Sequence, residues 1–93
     1  MMHELKCWPT PFEAVESGKK THEVRKNDRP YKVGDLLRLR EYTNRVCKAP
    51  DEPEWYYTGR ELTVQVTYIT EEGSFGLPPD VCVMSIRRYG CLT

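Results

Sequence analysis

A lysine, a glutamate and an arginine fall close together in Gly18-Lys19-Lys20-Thr21-His22-Glu23-Val24-Arg25. Glu23 and Arg25 are two residues apart, so a strand running through them presents both side chains on one face. Lys20 precedes them, at the turn that leads into such a strand. A guanidinium is a planar fork that suits a phosphate or the edge of a base. A carboxylate accepts from an amino group, and an ammonium is a point charge for phosphate. Lys6 and Trp8, also two apart, offer another cation and a ring on which a base can stack. The same residues have a plainer reading. Glu23 and Arg25 also fit a solvated cross-strand ion pair, and a tryptophan beside a short helix also fits a core.

Alternating polarity sets the elements that would position these groups. His3 to Trp8 predicts a short strand, with His3, Leu5 and Cys7 on one face, Glu4, Lys6 and Trp8 on the other, and Pro9 ending it. Thr10 as N-cap and Pro11 in the first turn predict a short helix, with Glu13 also in that turn. Phe12 and Val15 share one face of the helix, and Gly18 stops it. Residues 21–26 predict a second strand, with Thr21, Glu23 and Arg25 on one side and His22, Val24 and Lys26 on the other. Asn27 to Pro30 and Val33 to Asp35 are turns. Residues 36–42 predict a third strand, with Leu37 and Leu39 inward and Arg38 and Arg40 on the opposite face.

Residues 43–59, with Pro50, Pro53 and Gly59, read as a long polar connection. Its Trp55, Tyr56 and Tyr57 suit stacking on bases or covering a cleft, while Trp55 and Tyr57 also suit packing back on the barrel as a plug. Residues 60–69 and 81–87 predict the remaining strands, with a loop over 71–80 and a tail from about 88 to 93. The expected fold class is α+β, mainly β: a small barrel of about five to six strands with one short early helix, as a single domain over 1–93.

Composition narrows the partner. The chain has 93 residues, with 14 basic and 14 acidic side chains, so no overall field selects a ligand. The balance hides an asymmetry. Residues 1–48 carry eleven Lys and Arg against seven Asp and Glu, whereas residues 49–93 carry three against seven. Lys19, Lys20, Arg25, Lys26, Arg29 and Lys32 crowd one window that holds only Glu23 and Asp28 in opposition. A local basic patch on a neutral chain points to an anionic ligand at one place rather than to a binder of long duplex. No apolar run approaches the ~18 residues of a membrane span. The first residues, Met-Met-His-Glu-Leu-Lys, hold no signal-peptide core, so a soluble cytoplasmic protein without a membrane partner is expected. Cys7, Cys47, Cys82 and Cys91 are spaced 40, 35 and 9 apart, unlike a zinc knuckle, and only His3 and His22 could supplement them. Free thiols, no metal and no cofactor are expected.

The pattern Gly18-x-Lys20-x-x-Glu23-x-Arg25 resembles the signature of the ASCH family, relatives of the PUA domains. The likeness extends through His3-Glu4-Leu5-Lys6, Trp8-Pro9, Phe12, Glu23-x-Arg25-Lys26-Asn27-Asp28-Arg29, Val33-Gly34-Asp35, Leu39-Arg40-Glu41-Tyr42, Tyr57-Thr58-Gly59-Arg60, Val66-x-Tyr68-Ile69, Phe75-Gly76-Leu77 and Val83-Met84-Ser85-Ile86. Over about residues 3–86 it is similar to a short bacterial or phage-borne ASCH-like subfamily known as a domain of unknown function.

The resemblance implies a PUA-like β-barrel with a cleft beside the early helix, binding RNA or a nucleotide. The cleft residues it implies are Lys6, Trp8, Lys20, Glu23 and Arg25, with Arg29 and Arg40 outside the core signature. Some ASCH relatives are enzymes, so a hydrolase acting on a modified nucleoside or on RNA is the alternative. One group cleaves the acyl amide of acylated cytidine with a Lys, a Thr and a Glu. Lys20 and Thr21 fit its Gly-x-Lys-Thr pattern, but Glu23 stands where that group carries its catalytic Thr, and its downstream Glu has no clear counterpart. No histidine pair is placed for acid–base cleavage of RNA, since His22 falls on the strand face opposite Glu23. No catalytic residue is assigned on this basis. A phage-borne module that binds a host protein is the third reading.

Overall fold

The computed structural model describes residues 1–45 and 49–90. Five strands form one sheet: β1 (Met2–Cys7), β2 (His22–Lys26), β3 (Leu36–Asn44), β4 (Trp55–Thr70) and β5 (Val81–Arg88). One helix, α1 (Pro9–Glu16), joins β1 to β2, and a 3-10 turn lies at Ser74–Gly76. The strand order is β1-β3-β4-β5-β2. β1 pairs with β3 in parallel, and every other pairing is antiparallel. The sheet curls into a half-barrel, so the fold is α+β and mainly β, as the alternation predicts. The first two strands in sequence are therefore the two edges of the sheet.

Period-two alternation fills the inside. Leu5 and Cys7 of β1, Leu37 and Leu39 of β3, and Val64 and Val66 of β4 are buried in one cluster with Cys82, Met84 and Ile86 of β5. Phe12 and Val15 of α1 close that cluster. Cys7 and Cys82 are free thiols, as expected, while Cys47 and Cys91 lie outside the described residues.

Several boundaries differ from the sequence expectation. The helix begins at Pro9, not Pro11, with Trp8 as its N-cap in extended backbone at ψ 155°. The residue before a proline is pushed out of the helical region, and a first-position proline has no N–H to leave unsatisfied. The same rules therefore end the strand at Cys7 and start the helix at once. Glu13 consequently falls in the second turn.

The connection expected over 43–59 is strand at both of its ends, since β3 runs on to Asn44 and β4 starts at Trp55. Gly59, expected in the connection, sits in a bulge of β4 at φ +95°. Arg40 pairs with Glu61 and Tyr42 with Tyr57, so Thr58, Gly59 and Arg60 together oppose Glu41 alone. The β5 strand ends at Arg88, one residue beyond the expected end, and Cys91 to Thr93 of the expected tail lie outside the described residues.

The bulge satisfies a buried acid. Glu41 faces inward, and Thr58 Oγ1 donates to its Oε1 at 2.7 Å while Arg60 Nη1 donates to Oε2 at 3.3 Å. Arg60 also donates to Glu16 Oε1 at 2.7 Å and lies over the Phe12 ring, tying α1 to the sheet. A second buried polar cluster joins β1 to the start of β3. His3 Nε2 donates to Asp35 Oδ2 at 2.9 Å, the Lys32 N–H donates to the same oxygen at 3.0 Å, and the Met1 amine reaches Oδ1 at 3.3 Å. The Tyr31 ring packs edge-on to His3 at 4.8 Å. Burial pushes the Asp35 carboxyl up, but the bonds from His3, Lys32 and the Met1 amine outweigh it and hold the pKa below its usual value.

A carboxyl with a lowered folded pKa contributes stability above its unfolded value near 3.9, and that contribution is lost as pH falls through the folded value. Asp35→Asn is therefore expected to lose about 1–3 kcal/mol at pH 7. The gap to the unsubstituted chain should close below about pH 4 in urea titrations run across pH. An equal gap at pH 7 and pH 3 would rule out the charged carboxylate as the source.

Candidate functional site

Curling the sheet brings its edges, β1 and β2, to face each other across a seam that no backbone ladder closes. Side chains bridge it instead. Arg25 on β2 donates from Nη2 to the Lys6 carbonyl of β1 at 2.8 Å, and Arg29 Nη1 donates to the Glu4 carbonyl at 3.1 Å. Those carbonyls lie on the free side of an edge strand and would otherwise face only solvent.

Arg25 is aimed by Glu23. Its Nε donates to Glu23 Oε2 at 3.0 Å, while Lys20 Nζ donates to Glu23 Oε1 at 2.9 Å. Glu23 is only 3% exposed, so this carboxylate is a buried anchor shared by two partly exposed cations and not a solvated surface pair. Lys20 reaches it because the backbone turns at Gly18, φ +83°, with the Lys20 N–H donating back to the Ala14 carbonyl at 2.9 Å.

The upper part of the seam opens into a cleft of about 340 Å³ beside the start of α1. Its wall includes Lys6, Cys7, Trp8, Lys20, Glu23 and Arg25. The five residues that the family resemblance places in a cleft thus share one cavity, which holds three cations and one carboxylate. Trp8 is 56% exposed, so it is not part of the core. Two expected site residues are elsewhere. Arg29 lines a separate opening of about 310 Å³ lower in the seam, with Asp28 and Tyr31, and Arg25 divides it from the first. Arg40 points to the outer face of the sheet, where it pairs with Glu61 at 3.0 Å and lies over the Tyr57 ring at 3.8 Å. His22 is exposed on the face of β2 opposite Glu23, as its alternation predicts.

Cys7 is a wall residue that the sequence reading did not select. Burial, aided by the negative charge of Glu23, pushes its thiol up to about 11. It is a protonated thiol at neutral pH and a poor nucleophile. Alternation shows that it faces inward, opposite Lys6 and Trp8, but not that the inner face opens onto the cleft at this point. Among the described residues, no group of three or more His, Cys, Asp or Glu could hold a metal ion, and no helix is long and apolar enough to cross a membrane.

Residues 2–86 match a family described as a domain of unknown function, DUF3850, and the chain belongs to that family. A phage protein shares the pattern: the "uncharacterized 12.9 kDa protein in GpA 3′ region" of Escherichia phage P2 is 36% identical over 70 residues. That alignment covers 75% of this chain and 55% of the phage protein, so the chain spans about half the length of that relative.

Two measurements probe the site without a ligand. Glu23→Gln keeps the shape and removes the charge that two cations share, so stability should fall by about 1–3 kcal/mol in urea denaturation. An unchanged midpoint would mean that the triad holds nothing together. Alkylation at pH 8, mapped by mass spectrometry, should leave Cys7 unmodified in the folded chain and modify it rapidly in denaturant. Rapid labelling of folded Cys7 would contradict the raised thiol pKa.

Proposed function

We propose that this domain is of the ASCH type, with a PUA-like half-barrel, and that it binds a nucleotide or single-stranded RNA in the cleft between β1 and β2. The observation that carries the reading is the buried Glu23, which fixes Lys20 and Arg25 side by side at the rim of an open cavity. A preset pair of cations loses little freedom when an anion arrives. Lys6 adds a third cation, with no carboxylate within ion-pair distance among the described residues. Arg25 uses Nε and Nη2 within the protein, which leaves Nη1 to meet a phosphate oxygen or a base edge. Trp8 supplies a stacking face at the same opening. Glu23 acts by orienting Arg25 and Lys20.

Hydrolysis is less well supported. Both oxygens of Glu23 already accept from cations, and Cys7 keeps its proton at neutral pH. Thr21 is exposed and not within hydrogen-bond distance of Glu23.

Lys6→Ala separates charge from fold, because Lys6 is exposed and its ammonium bonds to no side chain that the fold needs. For a short labelled RNA followed by fluorescence anisotropy, three phosphate contacts imply a log–log salt slope of roughly −2, and Lys6→Ala should reduce it by about 0.7. Absence of binding by any nucleotide or short RNA would remove the reading. Binding of a neutral nucleoside with a flat salt response would favour the enzyme alternative.

A further inference from the structure

Beyond the cleft, the outer face of the sheet carries a row of rings. Trp8 meets Trp55 edge-to-face with centroids 4.9 Å apart. Trp55 stacks parallel to Tyr42 at 5.7 Å and an interplanar angle of 12°. Tyr42 in turn meets Tyr57 at 5.0 Å. Cations punctuate the row: Lys6 Nζ lies 4.7 Å from the Tyr42 ring centre, and the Arg40 guanidinium lies 3.8 Å from that of Tyr57. The rings come from two strands and one helix cap. Trp8 follows β1, Tyr42 is on β3, and Trp55 and Tyr57 are on β4. Trp8 and Tyr57, at the two ends, are both exposed. A row of aromatics that were only a plug for the barrel would be buried on the inner side.

We propose that this row is a stacking track for single-stranded nucleic acid, continuing the cleft, so that the ligand is a strand several nucleotides long and not a mononucleotide. The inference rests on the cleft reading above, because Lys6 and Trp8 belong to both surfaces. Two features favour this occupant. The track starts at the wall of the cationic cleft, and its exposed ends, Trp8 and Tyr57, present ring surface to bases while Trp55 and Tyr42, stacked on each other, support the row between them.

The charges on the track set what kind of contact it makes. Near its far end, Arg38 and Arg40 are matched by Glu4 and Glu61, with contacts of 3.0 to 4.0 Å. That end therefore attracts phosphate weakly. The strand leaves its first phosphates at Lys6, Lys20 and Arg25 and lays its later bases on rings. The affinity gained by lengthening the ligand should then come from stacking and change little with salt, whereas affinity in the cleft falls as salt rises.

The test compares a mononucleotide with eight-residue single strands of RNA and of DNA, binding to the full chain and to Tyr57→Leu and Trp55→Leu. Stacking is worth about 1–3 kcal/mol per base, so each variant should bind the eight-mers roughly 5- to 160-fold more weakly and the mononucleotide unchanged. The eight-mers should quench tryptophan fluorescence in the unsubstituted chain, which needs no variant to fold. A difference between the RNA and DNA arms would show whether the 2′-hydroxyl is read. Eight-mers that bind no better than the mononucleotide, or that bind both variants normally without quenching, would overturn the track and leave the cleft reading standing. If neither a mononucleotide nor an eight-mer binds, both readings fail.

Discussion

An open sheet has two edges, and here the whole site depends on how they are kept apart. β1 and β2 face each other without a ladder, and the Arg25 guanidinium spans the gap from Glu23 on one edge to the Lys6 carbonyl on the other. A backbone ladder would have closed the barrel and filled the cleft. A long side chain holds the edges in register and leaves space beside it. Glu23 makes this bridge rigid, because a carboxylate in the low-dielectric interior requires partners on both oxygens. The cost of burying that charge is met by the same two cations that rim the cavity. Shape and charge in the cleft thus follow from one buried acid.

Three acids, Glu23, Glu41 and Asp35, are buried; Glu41 and Asp35 bond directly to residues distant in sequence, and Glu23 reaches β1 through Arg25. Glu23 ties the helix-to-strand turn to the seam. Glu41 draws Thr58 and Arg60 from β4, and through Arg60 it holds α1. Asp35 ties the start of β3 to His3 of β1. No described buried side-chain N or O atom lacks a partner. In a chain this short the apolar core is small, and satisfied polar contacts of this kind fix the arrangement of elements while leucines and valines supply the driving force.

How much of this was legible depended on distance along the chain. The shared face of Glu23 and Arg25, the inward set of β1 and the stop at Gly18 follow from local spacing alone, and the structure has them. The His3–Asp35 contact spans a parallel pairing of strands separated by a helix and another strand, and nothing local announces it. The Glu41 cluster was hidden because it needs a bulge, and Gly59 with two nearby prolines argued for a loop. A signal was present. Trp55-Tyr56-Tyr57 is a run of strong strand formers placed opposite Tyr42 and Thr43, and it marks a hairpin arm despite the prolines at its tip. Strand parity places Arg40 on the outer face with Lys6, Arg38 and Tyr42, and there Glu61 and the Tyr57 ring hold its guanidinium away from the cleft.

Two bulges in β4 show how finely such parity is set. Between Arg40 and Tyr42 the partner shifts by two extra residues, from Glu61 to Tyr57, and a shift of two leaves every side chain on the face it would otherwise have. Glu61, Tyr57 and Trp55 therefore all stay on the outer face, and the aromatic row survives the interruption. Between Val66 and Tyr68 the shift is a single residue, which exchanges the faces. Tyr68 consequently turns out to solvent and Ile69 packs against the core, although an unbroken alternation from Val64 and Val66 would bury Tyr68. Had the first bulge been of one residue like the second, Trp55 and Tyr57 would face the core beside Glu41. Tyr56 would turn outward in their place, and the row from Trp8 through Trp55 and Tyr42 to Tyr57 would be lost. The glycine at position 59 accommodates the longer bulge, and through it the backbone decides which side of the sheet carries the aromatics.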